Sequence, residues 1–234
     1  MIKLNVKLIT MELKSVKREN LHSLANIYVG KGTQADIWLT RINNQLAAIK
    51  DYHSRGLLFK SLFGRWLIAR EFGIYKKLQG INGIPDVYKL LDKDAFILEY
   101  IEGKDCSNFD KGSLPEEFFT RLRNLIDDIH LHGVVHCDLK KRTNIIITDG
   151  YQPYLVDFAA SFTKGSRFNF IRNWFYKQFY QDDLNAIAKL KKKVSPHLLT
   201  QEEEENLSRR LFLEKEVRFI RNHVRRWIKK LALR

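Results

Sequence analysis

Residues 129–159 constrain this chain more than any other stretch. Val134-Val135-His136-Cys137-Asp138-Leu139-Lys140-Lys141-Arg142-Thr143-Asn144-Ile145-Ile146-Ile147 holds a polar loop between apolar runs. Tyr154-Leu155-Val156-Asp157-Phe158-Ala159 follows, so the loop's His-x-Asp and Asn are succeeded by a second Asp-Phe pair. These residue types fit phosphoryl transfer, in which a protein mainly positions groups and neutralises charge. Asp138 can accept the proton of an attacking hydroxyl. Asn144 and Asp157 can hold magnesium, a hard cation that prefers oxygen ligands. Lys140 can reach a transferring phosphate.

A chain of 234 residues with 44% hydrophobic residues can bury a core, either as one large domain or as two small lobes sharing a cleft. Its 41 Lys+Arg against 27 Asp+Glu leave a net charge of +14. That excess suggests an anionic partner: nucleic acid, acidic lipid or a phosphorylated substrate. A long solvated helix face explains it equally. The two cysteines, Cys106 and Cys137, provide neither a disulfide framework nor metal-ligand spacing. A thiol inside the loop is easiest to keep in a reducing compartment. No apolar run approaches the ~20 residues of a membrane span. The opening Met1–Leu8 alternates apolar and polar residues, which predicts a strand, and its lysines interrupt any signal-peptide core. The expectation is a cytoplasmic, soluble chain, with peripheral attachment to a membrane as the alternative.

Along the chain, residues 1 to about 50 predict β-hairpins. Gly30-Lys31-Gly32-Thr33-Gln34-Ala35 is a Gly-rich turn between strands, and Asn43-Asn44 marks a second turn before Leu46–Lys50. Such a turn lets backbone N–H groups approach phosphates without side-chain clash, although an ordinary hairpin has the same pattern. The stretch 55–66 is basic, aromatic and apolar, and reads either as a membrane-facing loop or as an insertion packed on the small lobe. Leu67–Leu78 has helical periodicity around Glu71. Val87–Leu91 and Ala95–Ile101 predict two strands joined by Asp92-Lys93-Asp94. A helix is expected from Leu114, with Ser113 as cap and Pro115 in its first turn. Phe118, Leu122, Leu125, Ile126 and Ile129 form its apolar stripe.

Beyond Ala159, basic and aromatic residues alternate from Arg167 to Tyr180, giving an acceptor-binding or membrane-interface surface, or a buried helix with snorkelling cations. Asp182-Asp183-Leu184 is expected to open the next helix. Thr200-Gln201-Glu202-Glu203 predicts a capping box before a long helix. Leu213, Val217, Ile220, Val224, Trp227 and Leu231 then recur at helical spacing among Arg218, Arg221, Arg225, Arg226, Lys229 and Lys230. About +10 of the formal charge lies beyond Ser161. That last helix either packs on the large lobe or lies on anionic lipid.

The order of Gly-rich turn, strand lysine, helix glutamate, extended segment, His-x-Asp loop with Asn, and Asp-Phe resembles the protein-kinase-like superfamily from about Tyr28 to Leu190. The small size resembles its minimal atypical members: RIO-type kinases, the kinase subunit of the KEOPS complex, and the Kdo and heptose kinases of lipopolysaccharide cores. The resemblance implies an α+β, two-lobed fold. A small β-rich amino-terminal lobe covers 1–101 and a reduced helical carboxy-terminal lobe covers 102–234, with MgATP in the cleft. It implies Gly30 and Gly32 at the phosphates and Lys50 on the α- and β-phosphates, oriented by Glu71. It makes Leu98 the gatekeeper and gives the backbones of Glu99 and Ile101 to adenine. Asp105 stands where a carboxylate can bind ribose, or is a plain loop aspartate. Asp138 becomes the base or hydroxyl orienter, Lys140 the charge stabiliser, Asn144 and Asp157 the magnesium ligands, and Asp183 a buttress of the loop or a helix cap.

Three positions depart from the family pattern. Asn144 lies six residues after Asp138 instead of five, so one residue must bulge between Lys141 and Thr143; Asn144, directly before the Ile145–Ile147 run, is kept as the ligand, with Thr143 at the usual spacing as the alternative. Ala159 replaces the glycine after Asp-Phe, implying a fixed geometry. Cys137 replaces the loop arginine, so control by activation-loop phosphorylation is not expected. The implied activity is γ-phosphate transfer to an alcohol, with a protein serine or threonine first and a lipopolysaccharide-core sugar at the inner membrane face second. A nucleotide-binding pseudokinase remains as a third reading. A pure nucleic-acid-binding module is not expected.

Overall fold

The computed structural model describes residues 9–56 and 63–209, so the strand expected over Met1–Leu8 and the basic helix expected over 213–231 lie outside the described residues. The described residues form two compact units, one of 9–76 with 85–101 and one of 77–84 with 102–209.

The first unit is built on an antiparallel sheet. It contains β1 (Thr10–Met11), β2 (Ala25–Tyr28), β3 (Asp36–Ile42), β4 (Gln45–Asp51), α1 (Arg65–Leu78), β5 (Val87–Asp92) and β6 (Ala95–Glu99). The strand order is β1-β3-β4-β6-β5, with β2 also on β3 and β1 running parallel to it. Asn43 and Asn44 both take positive φ, 49° and 69°, which gives the tight β3–β4 hairpin its twist. Alternation along β4 and β6 divides the core in two. Ala47, Ile49, Ala95 and Ile97 face Val16, Leu21 and Leu24. On the opposite face, Phe96 meets Phe72 and Tyr75 of α1 at ring-centroid distances of 6.2 and 6.0 Å. Lys50 therefore falls on the α1 face.

Arg18 ties two strand ends together. Its guanidinium binds both Asp51 oxygens at 3.1 Å and also pairs with Asp92. Burial, the largest influence on Asp92, works to raise its carboxyl, but the hydrogen bonds and charge of Arg18 outweigh it and hold the group below the usual carboxylate range. A lowered folded-state value makes the contribution present above about pH 4 and lost as pH falls through that value. Arg18→Met is expected to cost the Asp92 part about 1 kcal/mol at pH 7, since the pair is partly solvated. Urea titrations should show the gap between the two proteins narrowing by pH 3.

The second unit contains β7 (Lys104–Asp105), α2 (Glu116–Leu131), β8 (Val134–Val135), β9 (Ile145–Ile147), β10 (Pro153–Leu155), β11 (Phe162–Thr163), α3 (Phe170–Val194) and α4 (Gln201–Arg209). The sheets are β10-β9-β7 and β11-β8, both antiparallel. Phe118, Leu122, Leu125, Ile126 and Ile129 of α2 are buried, as their spacing requires. The capping box forms: Thr200 N–H donates to Glu203 Oε2 at 3.0 Å, and Glu203 N–H to Thr200 Oγ1 at 3.2 Å.

Two boundary expectations are corrected. Pro115 is the N-cap of α2, because the Ser113 hydroxyl turns back to donate to Asp110 O at 2.6 Å. Asp182-Asp183-Leu184 does not open a helix but lies inside α3, which starts at Phe170 behind an Asn169 cap.

Candidate active site

In the first unit the chemistry starts from two periodicities. Ile68, Glu71, Ile74, Tyr75 and Leu78 make the buried stripe of α1, so Glu71 occupies a core-facing position. Lys50 points at it from β4, and its Nζ lies 2.8 Å from Glu71 Oε1, with Glu71 fully buried. The carboxylate holds the ammonium in one direction. Breaking such a buried pair from one side costs about 3–5 kcal/mol.

The Gly30–Ala35 turn is fixed from beneath by residues the sequence did not single out. Buried Asp36 accepts the Gly30 N–H at 2.8 Å and pairs with Arg55 and Ser54. Arg55 donates to Gly30 O at 2.7 Å. Arg55 thus serves the turn, while 57–62 lie outside the described residues. A Cβ on Gly30 would lie 2.3 Å from Gln34 O and 2.5 Å from Ala35 O, so only glycine lets this backbone close. Gly32 has φ +63°. Leu98 is buried, Glu99 ends β6, and Ile101 follows half-buried. Glu99 N–H donates to Asp86 O at 2.7 Å, and the Tyr100 N–H to Leu46 O at 3.0 Å, which fixes the backbone on either side of the Glu99 carbonyl.

In the second unit, β8 leads into the loop and β9 leaves it. The extra residue is absorbed in a short 3-10 turn, Arg142–Asn144, with Lys141 N–H donating to Asp138 O at 3.1 Å and Asn144 N–H to Lys141 O at 2.9 Å. This turn brings Asn144, not Thr143, back to the aspartate. Asn144 Nδ2 donates to Asp138 O at 3.1 Å and lies 3.5 Å from Asp138 Oδ2. Lys141 Nζ lies 2.6 Å from Asp138 Oδ2. Lys140, which the sequence favoured, is exposed.

Val156 is clamped on both sides. Its N–H donates to Asn144 O at 3.0 Å, and its carbonyl accepts from His136 Nε2 at 3.0 Å. Asp157 therefore follows directly on a residue bonded to the loop. It takes the left-handed conformation, φ 64° and ψ 66°, before a 3-10 turn, Phe158–Ala160, that Ser161 closes. Phe158 is buried against the His136 ring at 4.7 Å.

Asp183 of α3 lies under this loop, 1% exposed. It accepts the N–H groups of His136 at 2.7 Å and Cys137 at 2.9 Å, and His130 Nε2–H at 3.1 Å. Cys137 has φ 66°, which lets successive amides turn toward one carboxylate. Tyr176 donates to His130 O at 2.9 Å. Burial, with Tyr180 and Asp183 nearby, pushes the Tyr176 hydroxyl up to about 12, so it stays a donor. Asp105 caps a short turn, its Oδ1 accepting the Ser107 N–H at 2.8 Å.

Comparison with known proteins places this geometry. The chain is 28% identical to CBL-interacting protein kinase 5 of Oryza sativa subsp. japonica over 64% of its own length and 34% of the relative's. It is 30% identical to CBL-interacting protein kinase 10 of the same plant, over 59% and 30%. It thus spans about a third of these curated relatives. Among solved structures, it resembles the Rio2 kinase from Chaetomium thermophilum, with TM-score 0.58 and 14% identity, covering 80% of this chain and 63% of that one. A Rio2 kinase-ADP/Mg2+-phosphoaspartate complex from the same organism gives TM-score 0.50 and 14% identity over 83% and 73%. The fold is accordingly α+β and protein-kinase-like. The RIO domain model matches residues 50–171, from the strand lysine through the Asp138 loop and Asp157 into α3 and over more than half of the chain, and the chain belongs to the RIO domain family of atypical kinases.

Proposed function

We propose that this chain is an ATP-dependent phosphotransferase that moves the γ-phosphate of MgATP to a hydroxyl, with a protein serine or threonine as acceptor. The observation that carries the reading is the double clamp on Val156, which ties Asp157 to the loop presenting Asp138 and Asn144. Asp138 takes the acceptor's proton on its carboxylate while Lys141 and Asn144 hold it in place. Lys50, oriented by Glu71, binds phosphate oxygens. Lys140, exposed two residues after Asp138, offsets charge on the transferring group. The match to CBL-interacting protein kinases supports the protein acceptor.

The donor set fits magnesium. Asn144 Nδ2 is directed to Asp138 O, which leaves Oδ1 as its ligating atom, and Asp157 adds a carboxylate. Among the described residues no group of three or more His, Cys, Asp or Glu could hold a metal. This suits an ion that takes its other ligands from phosphates and water. When bound, it neutralises charge on the phosphates. That a Rio2 kinase of the same fold is described with ADP and Mg2+ supports the same pair here.

The test is transfer from γ-labelled ATP to a cell extract separated into protein and glycolipid fractions. Label in protein supports the reading. Label in glycolipid alone replaces it with a sugar kinase. ATP binding without label anywhere makes the chain a pseudokinase. Gly30→Ala should weaken nucleotide binding about tenfold, since the turn must open by an overpacking cost of about 1–3 kcal/mol. Calorimetric titration with an ATP analogue reads it, and unchanged affinity would remove the turn from the phosphate site.

A further inference from the structure

The amino-terminal half of α3 carries an apolar ridge with no cover among the described residues. Phe168, Phe170, Ile171, Trp174 and Phe175 are between 44% and 81% exposed. At about 100° per residue, Phe170, Trp174, Ile171 and Phe175 share one arc of roughly 140°, opposite Tyr176. Tyr176 is buried and bonded to His130 O, so the helix cannot roll to hide the ridge without exposing it. Large apolar residues scattered singly on a surface need no explanation, but five within eight residues mark an interaction surface. Residues 161–181 also contain four cations, Lys164, Arg167, Arg172 and Lys177, and no Asp or Glu. Arg172 is anchored beside the ridge, donating to Thr163 O at 2.8 Å and lying 5.2 Å from the Phe162 ring centre.

We propose that this ridge docks the protein on an anionic membrane surface. The rings enter the boundary between headgroups and acyl chains, and the flanking cations meet lipid phosphates. Charge selects this occupant. The apolar pattern at helical spacing over 213–231 carries seven Lys or Arg against Glu214 and Glu216, and would bring like charge to the ridge. A second copy would oppose the same four cations across a symmetric contact. An anionic bilayer meets both the rings and the cations, and tryptophan favours that boundary. The inference does not rest on phosphate transfer, and its readout needs no nucleotide.

The experiment is flotation of the full chain with phosphatidylcholine vesicles, with and without phosphatidylglycerol. The protein should float with anionic vesicles and bind neutral ones about tenfold or more weakly, the difference shrinking with salt. Phe170→Ser with Trp174→Ser should cut binding to anionic vesicles at least about tenfold, with melting temperature unchanged because both residues are exposed. Ile171→Cys carrying an environment-sensitive dye should shift to the blue on anionic vesicles. Failure of the protein to float, or flotation by the double variant equal to the parent's, overturns the proposal. So does a loss confined to Arg225→Glu with Arg226→Glu, which would assign the membrane to the carboxy-terminal segment. Ridge-dependent binding to poly-glutamate as tight as to vesicles overturns it in favour of an acidic protein partner.

Discussion

Asp138→Asn is expected to lower phosphate transfer about a thousandfold while nucleotide affinity and melting temperature stay close to those of the parent. A positioned general base contributes about 10²–10⁴ in rate. Asparagine keeps the volume of the side chain and can still accept from Lys141 through its carbonyl oxygen. What it loses is the capacity to take a proton. Alanine would be a poorer test, because the Lys141 ammonium, 2.6 Å from Asp138 Oδ2, would lose its anion and the loop would relax around it. Single-turnover transfer from γ-labelled ATP measures the effect. A variant within tenfold of the parent would show that Asp138 is not the base, and would leave Lys141 as its structural reason for being charged.

Where local periodicity and tertiary position coincide, the sequence was readable. Lys50 and Glu71 sit on a strand of period two and a helix of period 3.6, both directed to the same core, and a charged residue on an otherwise apolar stripe needs a partner. In the sequence Asn144 is preferred to Thr143 only because it directly precedes the Ile145–Ile147 strand, which is a weaker ground. The choice depends on a single 3-10 turn that absorbs the extra residue, and no periodicity encodes that turn. Lys141 escaped for the same reason, since its pairing with Asp138 at i,i+3 exists only once the turn is made. The Asp36–Arg55 brace joins residues far apart in sequence with no pattern between them.

The misplaced helix start has a different cause. An acidic pair before apolar residues is a common helix-opening signal, because it satisfies free N–H groups. In α3 the same chemistry appears in mid-helix, where Asp183 satisfies free N–H groups that belong to the loop after β8. Local signals report that a carboxylate is wanted, but not by which backbone.

That distinction has a measurable size. Asp183→Ala is expected to cost about 3–5 kcal/mol, because two buried donors, His136 N–H and His130 Nε2–H, and the half-buried Cys137 N–H lose their acceptor together. A helix cap lost at an exposed helix start would cost about 1 kcal/mol. The larger cost is about a fifth or more of the total stability of an ordinary domain, and should lower the melting temperature by about 10 °C. Urea unfolding near 25 °C separates the two cases. Asp183→Asn should fall between, since its amide oxygen replaces part of the acceptor set while its NH2 group faces donors. Transfer activity should fall in both variants at temperatures where they remain folded, because the N–H groups of His136 and Cys137 set the direction in which Asp138 leaves the loop. A cost near 1 kcal/mol with full activity would mean that the loop holds its shape without α3, and that the His136–Val156 clamp alone positions Asp138 and Asn144.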